Sequence, residues 1–284
     1  MTTHFASKHK PELIGLGVGH TNLSVSLPIP NERLTLIGYS RAADTTSFFI
    51  PELSFSLDAG PFKVHTSHPS HVFITHGHSD HSFGMTALVS RAKPPKVYIP
   101  ISTAPLLDQY LFSSQQLTGA CAMTPEEYQT NHVTHGVQPG DIITLDNLPY
   151  EITVINCDHS CPSVGFTFHK ITHRLRREYQ GRAGADLKKL RQDGIDITEI
   201  CRKSLFTFLG DTTAETLSSE ESASWLSTMP VVITECTFLD EKHRKNAEKT
   251  KHTLWADLQD PSVQQERHHR LFQRRKTEKH HRVV

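Results

Sequence analysis

Three histidines and an aspartate crowd into six residues, His76-Gly77-His78-Ser79-Asp80-His81, directly after the apolar strand-like stretch His71 to Thr75. No packing role calls for that density of donors. A pair of transition-metal ions does, because imidazole nitrogen and carboxylate oxygen suit zinc, and manganese or iron less specifically. In a turn leaving a strand, His76 and His78 can aim at one cation while Asp80 and His81 aim at a second. The chain holds 20 histidines, so the spacing carries the argument and no single histidine does. The competing reading, a histidine-rich surface loop, has to ignore the strand before the run and the helix-like segment Ser82 to Arg91 after it.

Short apolar runs at Leu34 to Ile37, Ser47 to Ile50 and Leu53 to Leu57, separated by Pro, Gly, Asn and Asp, read as strands that end at Asp58-Ala59-Gly60. Further strands are expected at Lys96 to Ile99, Ile142 to Leu145, Glu151 to Asn156, Val164 to Ile171, Leu205 to Leu209 and Val231 to Thr234. Helical spacing is expected over Thr103 to Gln116, Asp186 to Gln192 and Ile197 to Lys203, and the chain after the last strand reads as helical and increasingly charged. The chemistry-bearing residues sit where strands end. That pattern predicts an α+β architecture of two packed mixed sheets with helices outside.

The chain has no net charge, but the charge is unevenly spread. Nine Lys and Arg stand against five acids between positions 174 and 203, and seven against two between 261 and 284. Basic patches on an otherwise acidic body suit an anionic partner, although solvated helix faces would look the same. No stretch approaches the roughly 20 apolar residues of a membrane span. The N-terminal residues lack the apolar core of a secretory signal. The five cysteines form no CxxC pair, which points to thiols in a reducing, intracellular setting. Domain limits are expected at 1–260 for the main unit and 261–284 for a basic tail.

A two-cation centre needs about three protein ligands per ion, with one oxygen often bridging. His159, in Cys157-Asp158-His159-Ser160-Cys161-Pro162-Ser163, follows an apolar strand and makes a third ligand for the first cation; a core histidine is the alternative. Asp211 ends the strand Leu205 to Leu209, where a carboxylate can bridge both ions, or else cap the following helix. Two divalent ions against two carboxylates leave net positive charge, which suits an anionic phosphodiester. Asp80 could orient or deprotonate water there.

The ordered motifs THGHSDH, DHSCPSVGF, FLGDTT, ECTF and KHTLWADL resemble those of the metallo-β-lactamase superfamily, in its ribonuclease Z (tRNase Z) branch, over roughly residues 30–260. The resemblance implies a hydrolase domain with an αββα sandwich and two zinc ions. It assigns His76, His78 and His159 to one ion, Asp80 and His81 to the other, and Asp211 as the bridge. It implies that His252 acts near the leaving group, and that the substrate is RNA such as a pre-tRNA 3′ extension. A homodimer is compatible with it and a membrane partner is not expected.

Two features depart from the family pattern. Its last ligand, a His in an apolar strand followed by Phe-Ser, has no counterpart in HHRLFQRRKTEKHH; position 274 is Arg, and His268, His269, His280 and His281 are substitutes without the right context. The interval from His159 to Asp211 is expected to hold a basic helix and no long protruding arm. A two-metal hydrolase of a small substrate (a cyclic nucleotide or a thioester) and an inactive RNA- or protein-binding relative are the competing functions. Glu235 is expected either to support His252 or to cap the helix after it.

Overall fold

Thr35–Arg41 buries every second residue, the signature of a strand with one face on a core. The computed structural model describes residues 23–61, 68–124, 127–128, 132–259 and 270–275. Its first sheet contains β1 (Leu23–Ser26), β2 (Thr35–Arg41), β3 (Thr45–Ile50), β4 (Phe55–Leu57), β5 (His71–Phe73), β6 (Lys96–Pro100) and β7 (Val133–Val137), side by side in that order. The pairing is antiparallel up to β4 and parallel from β4 to β7. The second sheet runs β13-β12-β11-β10-β9-β8, built from β8 (Ile142–Thr144), β9 (Tyr150–Asn156), β10 (Val164–Leu175), β11 (Thr198–Phe208), β12 (Val231–Cys236) and β13 (Arg270–Arg275).

Period-two alternation assigns each strand residue to a layer. Phe73, Phe166, Phe168, Phe206 and Phe208 point inward and are buried between the sheets with Phe48 and Phe55. Most of these rings meet edge-on or tilted, as between Phe73 and Phe168 at 5.0 Å, while Phe168 and Phe206 stack at 4.5 Å. The alternate residues Val72, Ile74, Val97 and Ile99 face outward under α2 (Met85–Val89) and α3 (Ala104–Gly119), which follow α1 (Ser79–Ser82). On the other side, Ile155, Leu209, Val232 and Cys236 lie under α5 (Glu215–Ser218), α6 (Glu220–Leu226) and α8 (Trp255–Leu258). Trp225 and Trp255 pack partly buried against that layer, in the packing role more usual for tryptophan. Three apolar interfaces therefore separate four layers, helix on sheet on sheet on helix, as expected.

The segment Ile197 to Lys203 corrects its helical reading. Thr198 to Lys203 lie in β11, with Ile197 just before it, antiparallel to β10 with Thr172 opposite Cys201 and Leu175 opposite Thr198. Its β-branched residues Ile197, Thr198 and Ile200 favour the extended chain, and a strand partner outweighs a weak helical pattern. Beyond Lys170, β10 pairs only with β11, so Ile171 to Leu175 and Thr198 to Arg202 form a two-stranded ribbon past the end of β9. The basic helix α4 (Gly184–Gln192), expected from sequence, lies between these strands and buries none of its residues. This interval therefore extends from the sheet where a compact connection is expected.

The second correction is β13. Sequence patterning gives the tail no strand, yet its backbone pairs in parallel with β12, Glu235 opposite Arg274. The substitutes His268, His269, His280 and His281 lie outside the described residues.

The sheets are stitched together where the histidine run begins. The Val164 N–H donates to the Thr75 carbonyl at 2.9 Å. Gly210, at φ +65°, lies against Thr75 so closely that a Cβ would sit 2.4 Å from Oγ1. Only glycine meets both demands there.

Candidate metal centre

Each expected ligand leaves the end of a strand. Backbone from β5 delivers His76 and His78, and α1 follows at once with Asp80 and His81. His159 sits between β9 and β10, Asp211 just after β11, and His252 between α7 (Arg244–Thr250) and α8. Tertiary structure brings all seven together. His76 Nε2 lies 3.0 Å from His78 Nδ1, and His159 Nε2 lies 3.3 Å from the same atom. His81 Nε2 is 3.3 Å from Asp211 Oδ2 and 3.6 Å from Asp80 Oδ2. The His159 and His252 rings are 5.0 Å apart.

Proton bookkeeping shows what the first group is suited to hold. His159 Nδ1 donates to the Lys251 carbonyl at 2.9 Å, and a carbonyl only accepts, so the proton is on Nδ1 and Nε2 presents a lone pair. Thr75 Oγ1 donates to Asp58 Oδ1 at 3.0 Å and accepts from His76 Nδ1 at 3.0 Å, which leaves His76 Nε2 with a lone pair as well. Both lone pairs face His78 Nδ1. One N–H on His78 could serve only one of them. A cation serves all three nitrogens, and zinc with bonds of 2.0–2.1 Å places tetrahedral ligand nitrogens about 3.3 Å apart, near the separations found. Burial, with the neighbouring His81 charge next, holds His76 well below the usual imidazole range, and burial also lowers His159; both stay neutral, as ligands must.

The second group is anionic. His81 is fully buried; burial opposes its charge, but Asp211 and Asp58 outweigh that and push it up to about 10. Two or more carboxylates around one buried ring demand positive charge, which a divalent cation supplies as well as a proton does. Ligand atoms of His76, His81 and Asp211 lie within 4.8 Å of one another, and so do those of His159, Asp211 and His252, so Asp211 reaches both groups. Asp80 is oriented by the Ala43 N–H, which donates to Oδ2 at 3.0 Å.

Sequence reasoning misses Asp58. It is wholly buried and receives the Thr75 N–H at 2.7 Å, the Thr75 hydroxyl and His81 Nδ1–H at 2.7 Å. It thus sets the tautomer of His81 directly and of His76 through Thr75. Burial raises its carboxyl above the usual range despite His81. Asp58-Ala59-Gly60 reads as a strand end, and only an acid closing an apolar strand hints at more. Glu235 resolves in favour of supporting His252: Oε1 accepts His252 Nδ1–H at 2.6 Å and the Thr212 N–H at 3.1 Å, while Thr237 donates to Oε2.

The profile of the Metallo-beta-lactamase superfamily matches residues 58–164, which run from Asp58 through the histidine run to His159 and the start of β10. Residues 58–164 are thus similar to a metallo-β-lactamase domain. Around this domain, 215 residues are 26% identical to the chloroplastic tRNase Z TRZ2 of Arabidopsis thaliana, covering 74% of this chain and 58% of that protein. The same plant's tRNase Z TRZ1 is 26% identical over 211 residues, covering 72% of this chain and 71% of that protein. A solved structure titled human tRNase Z, short form (ELAC1), aligns with 90% of this chain and 92% of its own at TM-score 0.48 and 14% identity. The chain thus spans less than two thirds of the length of TRZ2, and its His and Asp cluster is one that could hold metal ions.

Proposed function

We propose that the chain is a dinuclear metal-dependent phosphodiesterase of ribonuclease Z type, with RNA, in particular a pre-tRNA 3′ extension, as substrate and zinc as its metal. The observation that carries the reading is the convergence of His76, His78, His159, Asp80, His81 and Asp211 into two adjoining donor groups. The curated relatives named tRNase Z support the choice of reaction. Zinc held there would supply Lewis acidity toward a phosphoryl oxygen and toward water.

The chain's own residues do the rest. Asp80, fixed by Ala43, orients water and takes its proton. His252 gives a proton to the departing oxygen, and the Glu235 carboxylate beside Nδ1 favours the protonated ring that this requires. Glu235 also holds the backbone at Thr212, next to Asp211, and so keeps this acid and the bridging carboxylate in one frame. A cavity of about 400 Å³ opens beside His78, walled by Phe83, Tyr110, Leu106 and Leu107. Phe83 and Tyr110 stack at 4.8 Å, and their exposed faces suit a nucleobase. The basic ribbon and α4 would hold the phosphate backbone.

Asp80→Ala tests the reading. It is expected to abolish pre-tRNA cleavage while circular dichroism stays unchanged; retained turnover would reject the mechanism. The same cavity also favours a small phosphodiester as the second reading, for which bis(p-nitrophenyl) phosphate would be cleaved and pre-tRNA would not. An inactive binding relative would hold RNA without bound metal. A reducing intracellular compartment is part of the proposal, supported by five unbridged cysteines; no described helix is long and apolar enough to cross a membrane.

A further inference from the structure

Cys161 differs from the two buried cysteines in what its sulfur does. Cys157 and Cys236 lie in the apolar layer beside β12 and aim their thiols at the carbonyls of Leu209 and Phe238. Cys161 belongs to none of the apolar clusters and lines the cavity next to His78. Its sulfur accepts the backbone N–H of Gly77, in the middle of the histidine run. Its Sγ and the ligand nitrogens of His76, His78 and His159 all lie within 4.8 Å of one another. Three imidazoles leave room for further donors on the first cation, and the sulfur is one at hand beside Asp211.

We propose that Cys161 is a further protein ligand of the first cation, adding one sulfur to the three imidazole nitrogens and the bridging Asp211 carboxylate. The proposal rests on the metal-centre reading above and adds to it a donor that neither the histidine run nor the resemblance assigns. As the sulfur–metal bond forms, the thiol proton leaves to solvent. A thiolate softens the site, and so favours zinc or cobalt over manganese more strongly than three imidazoles alone. The Gly77 N–H holds the sulfur toward the centre without competing for it as an acceptor.

Cobalt(II) titration of the whole chain tests this. The expected result is a thiolate-to-cobalt charge-transfer band in the near ultraviolet. Cys161→Ser should lose it, and Cys121→Ser, at an exposed thiol, should keep it. Cobalt bound without that band, or a band that persists in Cys161→Ser, overturns the proposal and leaves the metal centre standing. Failure to bind cobalt at all overturns the metal centre and the proposal with it. A measurement on the unaltered chain guards against a variant that does not fold: iodoacetamide labelling of Cys161, read by mass spectrometry, should slow when zinc is added. Equal labelling with zinc bound overturns the proposal.

Discussion

Asp58 touches three polar partners and has no access to solvent, so its worth lies in what it orients. Asp58→Asn keeps the volume but turns one acceptor into a donor facing His81 Nδ1–H. Zinc affinity, measured by competition with a chromophoric chelator, is expected to fall about 10- to 100-fold, the usual effect of losing a partner behind a ligand. Unchanged affinity would show that the His81 tautomer does not depend on it. The direct donors were legible because packing alone gives no reason for so dense a run of His and Asp. The residues behind them were legible only in part: Glu235 stood open between supporting His252 and capping a helix, and a lone strand-end acid such as Asp58 gains meaning only from what packs against it. The last ligand of the family pattern stays without a described counterpart, and β13 brings Arg274 into register with Glu235 by backbone pairing alone.

At the scale of elements, the proposed function would have the ribbon of β10 and β11 divide binding from chemistry. Lys188, Lys189 and Arg191 lie on α4, which buries none of its residues and stands well along the chain from the metal centre. Replacing all three with Ala is expected to weaken RNA binding and flatten its salt dependence, by about 0.7 in log–log slope for each single-strand phosphate no longer neutralised. Hydrolysis of bis(p-nitrophenyl) phosphate should be unaffected; a parallel loss of both would place α4 in the chemistry. The ribbon also shows where sequence patterning misleads. Thr198 to Lys203 mixes charge and apolar residues as a polar helix would, and only the partner strand, supplied from more than twenty residues away, makes it extended. The sandwich strands were legible because burial on one or both faces leaves a clear imprint on composition. A ribbon exposed on both faces leaves little.

For the whole molecule, two histidines in the sheets contribute to its response to acid. Burial holds His71 and His169 neutral and lowers each to about 4. Unfolded, they would titrate near 6.5, so between pH 6.5 and 4 the unfolded chain binds more protons and stability falls as pH falls. Each contributes up to about 1.4 kcal/mol per pH unit over that window. Urea midpoints should therefore drop between about pH 7 and pH 5, and His169→Leu should flatten the drop, since its Nδ1 is buried without a hydrogen-bond partner. A flat profile in the unaltered chain would count against neutral burial. The four-layer arrangement was legible from alternation and from the position of the special residues. The seam between the layers was not, because a main-chain bond such as Val164 to Thr75 leaves no trace in side-chain identity.

The Lys251 carbonyl that fixes His159 belongs to the backbone, at the left-handed close of α7, φ 52°. Exchanging the side chain cannot delete it. A mutational scan would therefore read position 251 only through its side chain, which pairs with Asp158 at 2.7 Å, while the carbonyl that orients His159 goes on working there unseen. Glycine, which relaxes that conformation, is the replacement most apt to be mistaken for proof that the position is idle.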